Sequence, residues 1–446
     1  MTTYVSAAET RHDLALDPAL PARDELLDPT LVADLLSASL GSGTSGSGQL
    51  DVSGAELILV KYRIGESLRV LYRVNVDGRR QLVTGRMFTG GQSAAVHRKA
   101  ARDPLPSGGL RASALDVGRD TVWWSFPNDR RLVGLDAVLS PAALPSSLRD
   151  AVGQWSASEV VQYAPERSVT LKALDPTGQI LAFVKCYAPG TQDVAQLAAR
   201  YDFFAARLGT ADHGLRSPRA LGHEVDRGLL LLEPMPGQSW LDCDRSTAID
   251  ALRSLGRAIA VVHSTLLGGW ISTGVRRFGR LDLARVVRAG ELISAALPDV
   301  AVAAGKLTDR LASDPPSAQV PVLLHGDAHP GNVLVDGDQM SLIDIDQAGT
   351  GPAAADIGSL LARLAYGGVL GETDHATADL MSSAFLEGYA QVRALPDDQT
   401  LDWYAAAALL TERSLRAVNR IRPEALLRLP ELIGAAHDLL DRRCRQ

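Results

Sequence analysis

Two stretches of the sequence carry the same pattern of alternating apolar and polar residues on either side of a tight turn. The first covers residues 55–88 and turns at 76–78, and the second covers residues 159–188 and turns at 175–178. A period of two predicts half-buried antiparallel strands joined as hairpins. The repetition predicts two β-rich units of the same design, so a purely helical fold is excluded.

The two predicted units differ in their chemistry. Residues 62–66 and 163–166 resemble each other, since each has a tyrosine followed after a short gap by a glutamate. The third strands do not match, because residues 85–86 read Gly-Arg where the second unit has Lys185. A role that needs a lysine is therefore expected only in the second unit.

The remaining sequence shows the 3.6-residue spacing of helices. A short helix over 28–40, capped by Asp28, precedes a glycine- and serine-rich linker at 41–48. Further helices are predicted over 191–208, over 246–266 and 281–297, and through nearly all of 353–446. This order is typical of an α+β fold with a β-rich lobe and a helical lobe. The predicted division is an N-terminal helix and linker (1–50), a β-rich cap domain (51–150), a β-rich lobe (151–238) and a helical lobe (239–446).

Composition narrows the class of protein and its partners. The chain has 446 residues, 46% of them hydrophobic, and a formal net charge of −7, so neither a nucleic-acid nor a membrane partner is expected. Its three cysteines share no close spacing, and no signal peptide or apolar span is visible, which predicts a cytoplasmic protein. Acidic residues predominate from Pro321 onward. That excess suits a cationic substrate or a metal, with a solvated acidic surface as the alternative.

The most informative short segment is HGDAHPGNVLV at 325–335, followed closely by IDIDQAG. Asp327 follows an apolar run and a glycine, so its carboxylate is expected in a tight loop. A hairpin would then bring Asn332 and Asp344 to the same end of two paired strands. Amide and carboxylate oxygens are ligands that suit Mg²⁺, which takes a few carboxylates together with phosphate oxygens.

These residues resemble the catalytic core of the aminoglycoside phosphotransferase and choline kinase family, which has a bilobal protein-kinase-like fold. The family pattern is His-Gly-Asp, an Asn five residues after the Asp, a hydrophobic-Asp pair and a later Asp. Its counterparts here are His325-Gly326-Asp327, Asn332, Ile343-Asp344 and Asp356.

The resemblance implies a role for each of these residues. Asp327 would be the catalytic base that faces an acceptor hydroxyl, and Asn332 and Asp344 would hold Mg²⁺ on the nucleotide phosphates. Asp346 is either a second metal ligand or a solvated carboxylate. His325 would brace the loop, and Asp356 would tie down its backbone.

The resemblance also implies a nucleotide site in the β-rich lobe. Lys185, in FVKCY, would reach the phosphates, and backbone groups around Glu233 to Met235 would meet the adenine. The following helix has no Glu to pair with the lysine, so Asp202 is the candidate. The hairpin over the phosphates lacks glycine, which points either to side-chain contacts by Arg167 or Ser168 or to a loop that stays back from the phosphates.

The sequence therefore predicts an ATP- and Mg²⁺-dependent kinase, with GTP as an alternative nucleotide. Its acceptor would be a hydroxyl of a small molecule such as a sugar, an amino sugar or an aminoglycoside-like compound. Two rival functions are a kinase that acts on Ser or Thr of a peptide, and a nucleotide-binding pseudokinase or scaffold. Residues 51–150 resemble the cap domain that precedes some actinobacterial sugar kinases. The sequence leaves the oligomeric state open.

Overall fold

The computed structural model of the protein describes residues 14–40, 52–100, 104–105, 107–209, 215–240, 245–267, 282–337 and 339–441. The linker predicted at 41–48 lies outside these residues. Within them the chain forms antiparallel β-sheets followed by a helical region, which confirms the α+β prediction. No helix in the described part of the chain is both long and apolar enough to cross a membrane.

The first sheet has five antiparallel strands in the order β1-β2-β3-β5-β4. Alternate residues of β2 are buried from Leu68 to Val76, as expected of a strand with one face in a core. Asp77 and Gly78, which turn the chain into β3, have φ angles of 47° and 76°, the left-handed values that a two-residue hairpin turn requires. The elements of this unit are α1 (Pro29–Leu40), β1 (Val52–Arg63), β2 (Ser67–Val76), β3 (Arg79–Met87), α2 (Ser93–Ala100), β4 (Ser113–Asp116) and β5 (Thr121–Ser125).

The second sheet repeats this topology. Its strand order is β6-β7-β8-β11-β10, again antiparallel, and a helix again follows the third strand. Two short helices, α3 (Leu135–Leu139) and α4 (Ser146–Val152), connect the sheets. The second unit consists of β6 (Ala157–Ala164), β7 (Ser168–Leu174), β8 (Ile180–Tyr187), α5 (Val194–Leu208), β9 (Leu215–Arg216), β10 (Ala220–Glu224) and β11 (Leu229–Leu232), of which β9 lies in another sheet.

The two sheets share a hydrogen-bond arrangement as well as a strand order. In each, one carboxylate oxygen of a buried aspartate accepts hydrogen bonds from a tyrosine hydroxyl near the end of the first strand and from a backbone N–H in the following turn. The residues are Asp17, Tyr62 and Gly65 in the first sheet and Asp129, Tyr163 and Glu166 in the second. Gly65 and Glu166 both have left-handed φ angles, 69° and 58°. The likeness therefore extends to individual turn residues.

The helical lobe surrounds a small β-structure that carries the sequence motif. Strands β12, β14, β15 and β9 form one sheet in that order, and β13 pairs with β16. A π-helical segment, Leu409–Ser414, joins α11 to α12. The elements are β12 (Gln238–Ser239), α6 (Arg245–Ser264), α7 (Leu283–Ala296), α8 (Ala301–Ser313), β13 (Val322–Leu324), β14 (Val333–Asp336), β15 (Gln339–Leu342), β16 (Gly349–Gly351), α9 (Ala353–Val369), α10 (His375–Ala390), α11 (Asp398–Ala408), α12 (Leu415–Arg420), α13 (Pro423–Leu427) and α14 (Leu429–Asp441).

The first sheet packs against both of the other parts of the molecule. Most of its buried apolar residues belong to one hydrophobic cluster with residues of α7, α8 and α14. Arg420, at the end of α12, donates a hydrogen bond to the backbone oxygen of Val60 in β1. On the other side, Arg69 of β2 donates to the backbone oxygen of Pro165 in the β6–β7 turn. The first sheet thus bridges the helical lobe and the second sheet.

Candidate active site

The loop that begins at His325 is fixed by a buried carboxylate from a neighbouring helix. Asp356, in the first turn of α9, accepts hydrogen bonds from the backbone N–H groups of His325 (2.8 Å) and Gly326 (3.0 Å). Burial acts to raise the pKa of Asp356, but the hydrogen bond from His263 and the backbone donors outweigh it and lower that pKa. The loop backbone is therefore attached to an ionised side chain.

His263 of α6 completes this anchor, although the sequence gave no sign of it. Its Nε2 lies 3.3 Å from Asp356 Oδ2, and its Nδ1 lies 2.9 Å from the Tyr389 hydroxyl. A lone histidine in a long helix carries no local pattern that assigns a role to it. His325 has a fully buried ring, and neither ring nitrogen has a hydrogen-bond partner among the described residues. Its placement fits a residue that packs beneath the loop.

Asp327 and Asn332 lie on the same loop and are joined to each other. The Asn332 side-chain amide donates a 3.0 Å hydrogen bond to the backbone oxygen of Asp327. The carboxylate of Asp327 accepts a 2.8 Å hydrogen bond from Gln347 Nε2, so its orientation is fixed from the far side of the hairpin. Ile343 N–H donates to Asn332 O, which ties the loop to the end of β15.

Asp344 follows β15 and meets the second sheet across the cleft. Lys185 of β8 places its Nζ 2.6 Å from Asp344 Oδ1 and 2.7 Å from Asp346 Oδ1. Asp344 adopts a left-handed backbone, with φ at 59°, a conformation that Asp tolerates better than most residues. The amine and the two carboxylates, far apart in sequence, therefore form one cluster.

Two tyrosines that sequence reasoning missed complete this cluster. Tyr187 donates a 2.5 Å hydrogen bond to Asp346 Oδ2, and Tyr201 donates a 2.9 Å hydrogen bond to Asp346 Oδ1. Burial acts to lower the pKa of Lys185, but the groups around it, led by Tyr201 and Asp346, raise it well above its usual value. The lysine is therefore charged. The two-residue separation of Lys185 and Tyr187 was a signal for this tyrosine in the sequence, because residues two apart in a strand lie on one face.

The expectation that Asp202 pairs with Lys185 is wrong for this arrangement. Asp202 is exposed, and its carboxylate accepts a 3.0 Å hydrogen bond from Ala220 N–H at the start of β10. Successive residues of a helix are turned by about 100° from each other, so only one of Tyr201 and Asp202 can face the cleft. The helix presents Tyr201, and the acidic partners come from the other lobe.

The remaining predicted nucleotide residues lie at turns around the cleft. Arg167 and Ser168 occupy the β6–β7 turn, where Arg167 is exposed and its backbone oxygen accepts from Ala188 N–H. Glu233 directly follows β11 and forms an ion pair with Arg219 at 3.1 Å, while Met235 is half-buried. The hydrogen-bond partners of Lys185 among the described residues are instead Tyr201, Asp344 and Asp346.

The predicted metal ligands form a partial set of hard oxygen donors. Asn332 supplies an amide and Asp344 and Asp346 supply carboxylates, and a positive group, the Lys185 ammonium, already lies between the two carboxylates. Within the described ranges there is no group of three or more His, Cys, Asp or Glu side chains that could hold a metal alone. Mg²⁺ is usually completed by phosphate oxygens and water, so these residues fit it.

Comparisons with known proteins identify the family of this chain. The model of the phosphotransferase enzyme family (APH) matches residues 173–395, which is half of the chain. No curated protein sequence matches.

Solved structures are similar at low identity. The macrolide 2'-phosphotransferase MphH of Brachybacterium faecium is 18% identical, with 66% of this chain and 98% of that chain covered and a TM-score of 0.43. A putative aminoglycoside phosphotransferase of Ralstonia eutropha is 15% identical, with coverages of 67% and 97% and a TM-score of 0.48. A choline/ethanolamine kinase family protein of Mesorhizobium loti is 17% identical, with 69% and 94% covered and a TM-score of 0.44. On the family match, this chain belongs to the phosphotransferase enzyme family of small-molecule kinases, which phosphorylate hydroxyl groups.

Proposed function

We propose that this protein transfers the γ-phosphoryl group of ATP, with Mg²⁺, to a hydroxyl of a small molecule such as a sugar or an aminoglycoside-like compound. The observation that carries the proposal is the contact between Lys185 and Asp344, which come from opposite sides of the cleft and lie 2.6 Å apart. Phosphoryl transfer needs positioning and charge neutralisation, and these groups supply both.

Each residue of the cluster has a distinct part in this proposal. Asp327, held by Gln347, accepts the proton of the acceptor hydroxyl as that oxygen attacks phosphorus. Lys185 leaves its two carboxylate partners and binds phosphate oxygens of the nucleotide. Asn332, Asp344 and Asp346 would hold Mg²⁺, which neutralises charge on the phosphates. Asp356 and His263 keep the loop in place without touching the substrate.

The charges near Asp327 also bear on the acceptor. The pKa of His329 falls to about 4, chiefly through burial; Asp327 acts to raise this pKa, and Arg413 and Arg363 act to lower it. Acidic residues of the helical lobe instead line a cavity of about 940 Å³ that includes Asp379 and Asp398. Arg363 and Arg413 also have carboxylate partners, Glu372 and Glu412, so the cationic acceptor suggested by composition stays a prediction that the acceptor panel tests.

The predicted division of the chain also becomes part of the proposal. Strands β1 to β5 fall within 51–150, and β6 to β8 with β10 and β11 fall within 151–238. We propose that the first unit is a cap derived from the same design as the second. Their shared strand order and the matched aspartate–tyrosine arrangements support a common origin.

The decisive experiment measures ADP release with ATP and Mg²⁺ over a panel of sugars, amino sugars, aminoglycosides and macrolides, with products identified by mass spectrometry. Asp327→Asn should lower kcat by about 10²–10⁴-fold and leave the Kd of the nucleotide unchanged. Asp336→Asn, which alters an exposed carboxylate at the end of β14, is the matched control. Full turnover by Asp327→Asn would remove Asp327 from the role of base.

The same panel tests the rival functions. A peptide acceptor phosphorylated in preference to every small molecule would favour the peptide kinase. Nucleotide binding without ADP release on any acceptor, together with no Mg²⁺ dependence, would favour the pseudokinase.

A further inference from the structure

A cavity of about 260 Å³ lies between the first sheet and the β6–β7 turn of the second. Six of the side chains that line it are cationic and one is acidic. The cationic residues are Lys61, Arg63, Arg69, Arg86, Arg131 and Arg167, and the acidic residue is Glu166. One carboxylate cannot neutralise six cations, so the walls of this cavity carry a large positive excess.

Glu166 is already fully engaged by arginines. Its carboxylate forms ion pairs with Arg69, Arg86 and Arg130, and its side chain is only 1% exposed. Burial acts to raise the pKa of Glu166, but the three arginines outweigh it and lower that pKa. The ionised glutamate leaves a net charge of +2 in this group alone; Lys61 adds to it, whereas Arg63 has an ion-pair partner in Glu66 at 3.7 Å.

Donor groups in the cavity wall have no partner. The Nε atoms of Arg69 and Arg86 are buried and make no hydrogen bond within the described part of the chain. Buried guanidinium donors are normally satisfied, and a missing partner calls for an explanation such as a bound ion.

The surroundings of Lys61 show the same excess of positive charge. No carboxylate of the described residues forms an ion pair with Lys61, and its pKa falls to about 8 because of burial and then repulsion by Arg69 and Arg63. A cation in such a place is stabilised by an added anion.

We propose that this arginine-lined cavity binds a compact polyanion, namely a small molecule that carries a phosphate or diphosphate group. The cavity is smaller than the roughly 300–1,000 Å³ of pockets that enclose drug-sized ligands, so the charged group itself fills most of it. Arginine forks match phosphate oxygens in pairs, and the side chains of both Arg69 and Arg86 line the cavity.

The position of Arg86 supports this assignment independently. Arg69 is the third residue of β2 and pairs with Arg86, just as Thr170 is the third residue of β7 and pairs with Lys185. Arg86 therefore occupies in the first sheet the position that Lys185 occupies in the second. The first unit has kept a cation at the position where the second carries its buried, charged lysine.

The arginine-lined cavity is connected to the cleft through the β6–β7 turn. Glu166 directly precedes Arg167 and Ser168 in the β6–β7 turn, and its own N–H is held by Asp129. A polyanion in the cavity would compete with Glu166 for Arg69 and Arg86 or add to their contacts. Either outcome changes the forces on this turn, so the KM for the nucleotide is expected to depend on occupancy.

Calorimetry with inorganic pyrophosphate tests the site without turnover, so its failure is distinct from failure of the proposed kinase activity. The full chain is titrated at constant ionic strength in the Lys185→Gln background, which weakens anion binding in the cleft. Lys61→Gln should weaken pyrophosphate binding by about tenfold, since one charge-assisted contact is lost. Arg80→Gln, on the exposed end of β3, should leave the affinity unchanged.

Lys61 is chosen because it holds no ion pair, so its substitution relieves repulsion and should leave Tm unchanged or higher. Arg86→Gln follows as a second variant and should weaken binding at least as much. Inorganic phosphate and a sugar phosphate, titrated in parallel, show which group is preferred. The proposal is overturned if no anion binds in the Lys185→Gln background, or if binding there is insensitive to both Lys61→Gln and Arg86→Gln.

Discussion

Replacement of Asp356 by Asn tests whether one buried carboxylate holds the loop that begins at His325. Asp356 is 1% exposed and accepts three hydrogen bonds, from the N–H groups of His325 and Gly326 and from His263. Asn keeps only one acceptor oxygen, and its NH₂ group must face a buried donor. Each hydrogen bond to a charged acceptor is worth about 1.5–3 kcal/mol, and an orphaned buried donor costs about 1–3 kcal/mol. We expect the free energy of unfolding to fall by about 3 kcal/mol.

The direction of the Asp356 pKa shift predicts how this loss of stability depends on pH. The pKa of Asp356 is lower in the folded protein than in the unfolded chain, so its stabilisation is present above the unfolded value of about 3.9 and is lost as pH falls through the folded value. The difference between wild type and Asp356→Asn should therefore be constant from neutral pH to about pH 4 and shrink below it.

Urea unfolding followed by far-UV circular dichroism measures this difference, with kcat measured on the same samples. Asp336→Asn, an exposed carboxylate in the same lobe, should change the free energy of unfolding by no more than about 0.5 kcal/mol. A loss from Asp356→Asn as small as that of the control, with unchanged kcat, would refute the anchoring role.

Three further changes test other parts of the site. Lys185→Gln should lower kcat by about 10²–10³-fold in an ADP-release assay at saturating ATP, and near-normal kcat would argue against phosphate binding by the lysine. Asp202→Asn should leave kcat and the nucleotide KM within about twofold of wild type, since its carboxylate serves Ala220, and a loss comparable to Lys185→Gln would restore the pairing rejected above. Gly237→Ala should lower Tm, because φ is 110° there and an added Cβ would lie 2.7 Å from Val335 O; a scanning-calorimetry Tm equal to wild type would contradict this.

The parts of the site that the sequence predicted are those set by local geometry. Asp327, Asn332 and Asp344 lie within twenty residues, and a short hairpin brings them together whatever the rest of the chain does. The residue types at Asp77 and Gly78 likewise predict the turn, because Asp and Gly tolerate left-handed φ angles. The spacing of Lys185 between apolar neighbours predicted a buried strand for the same reason.

The contacts that the sequence could not predict depend on orientation between distant elements. The choice of Tyr201 over Asp202 follows from the rotation of α5 against the second sheet, and no residue within the helix fixes that rotation. His263 reaches Asp356 only because α6 packs beneath the loop. Arg69 and Arg86 are cross-strand partners in the first sheet, but their meeting with Glu166 depends on how the two sheets dock.

The bridge made by Lys185 between Asp344 and Asp346 has a consequence for the order of ligand arrival. A free divalent ion that binds these two carboxylates must displace the charged amine of Lys185, which then has no anionic partner. A nucleotide that brings its own ion offers phosphate oxygens to the departing amine in the same event. If the proposed function holds, the Lys185 bridge would therefore disfavour a bare metal ion and favour an ion that arrives bound to the nucleotide.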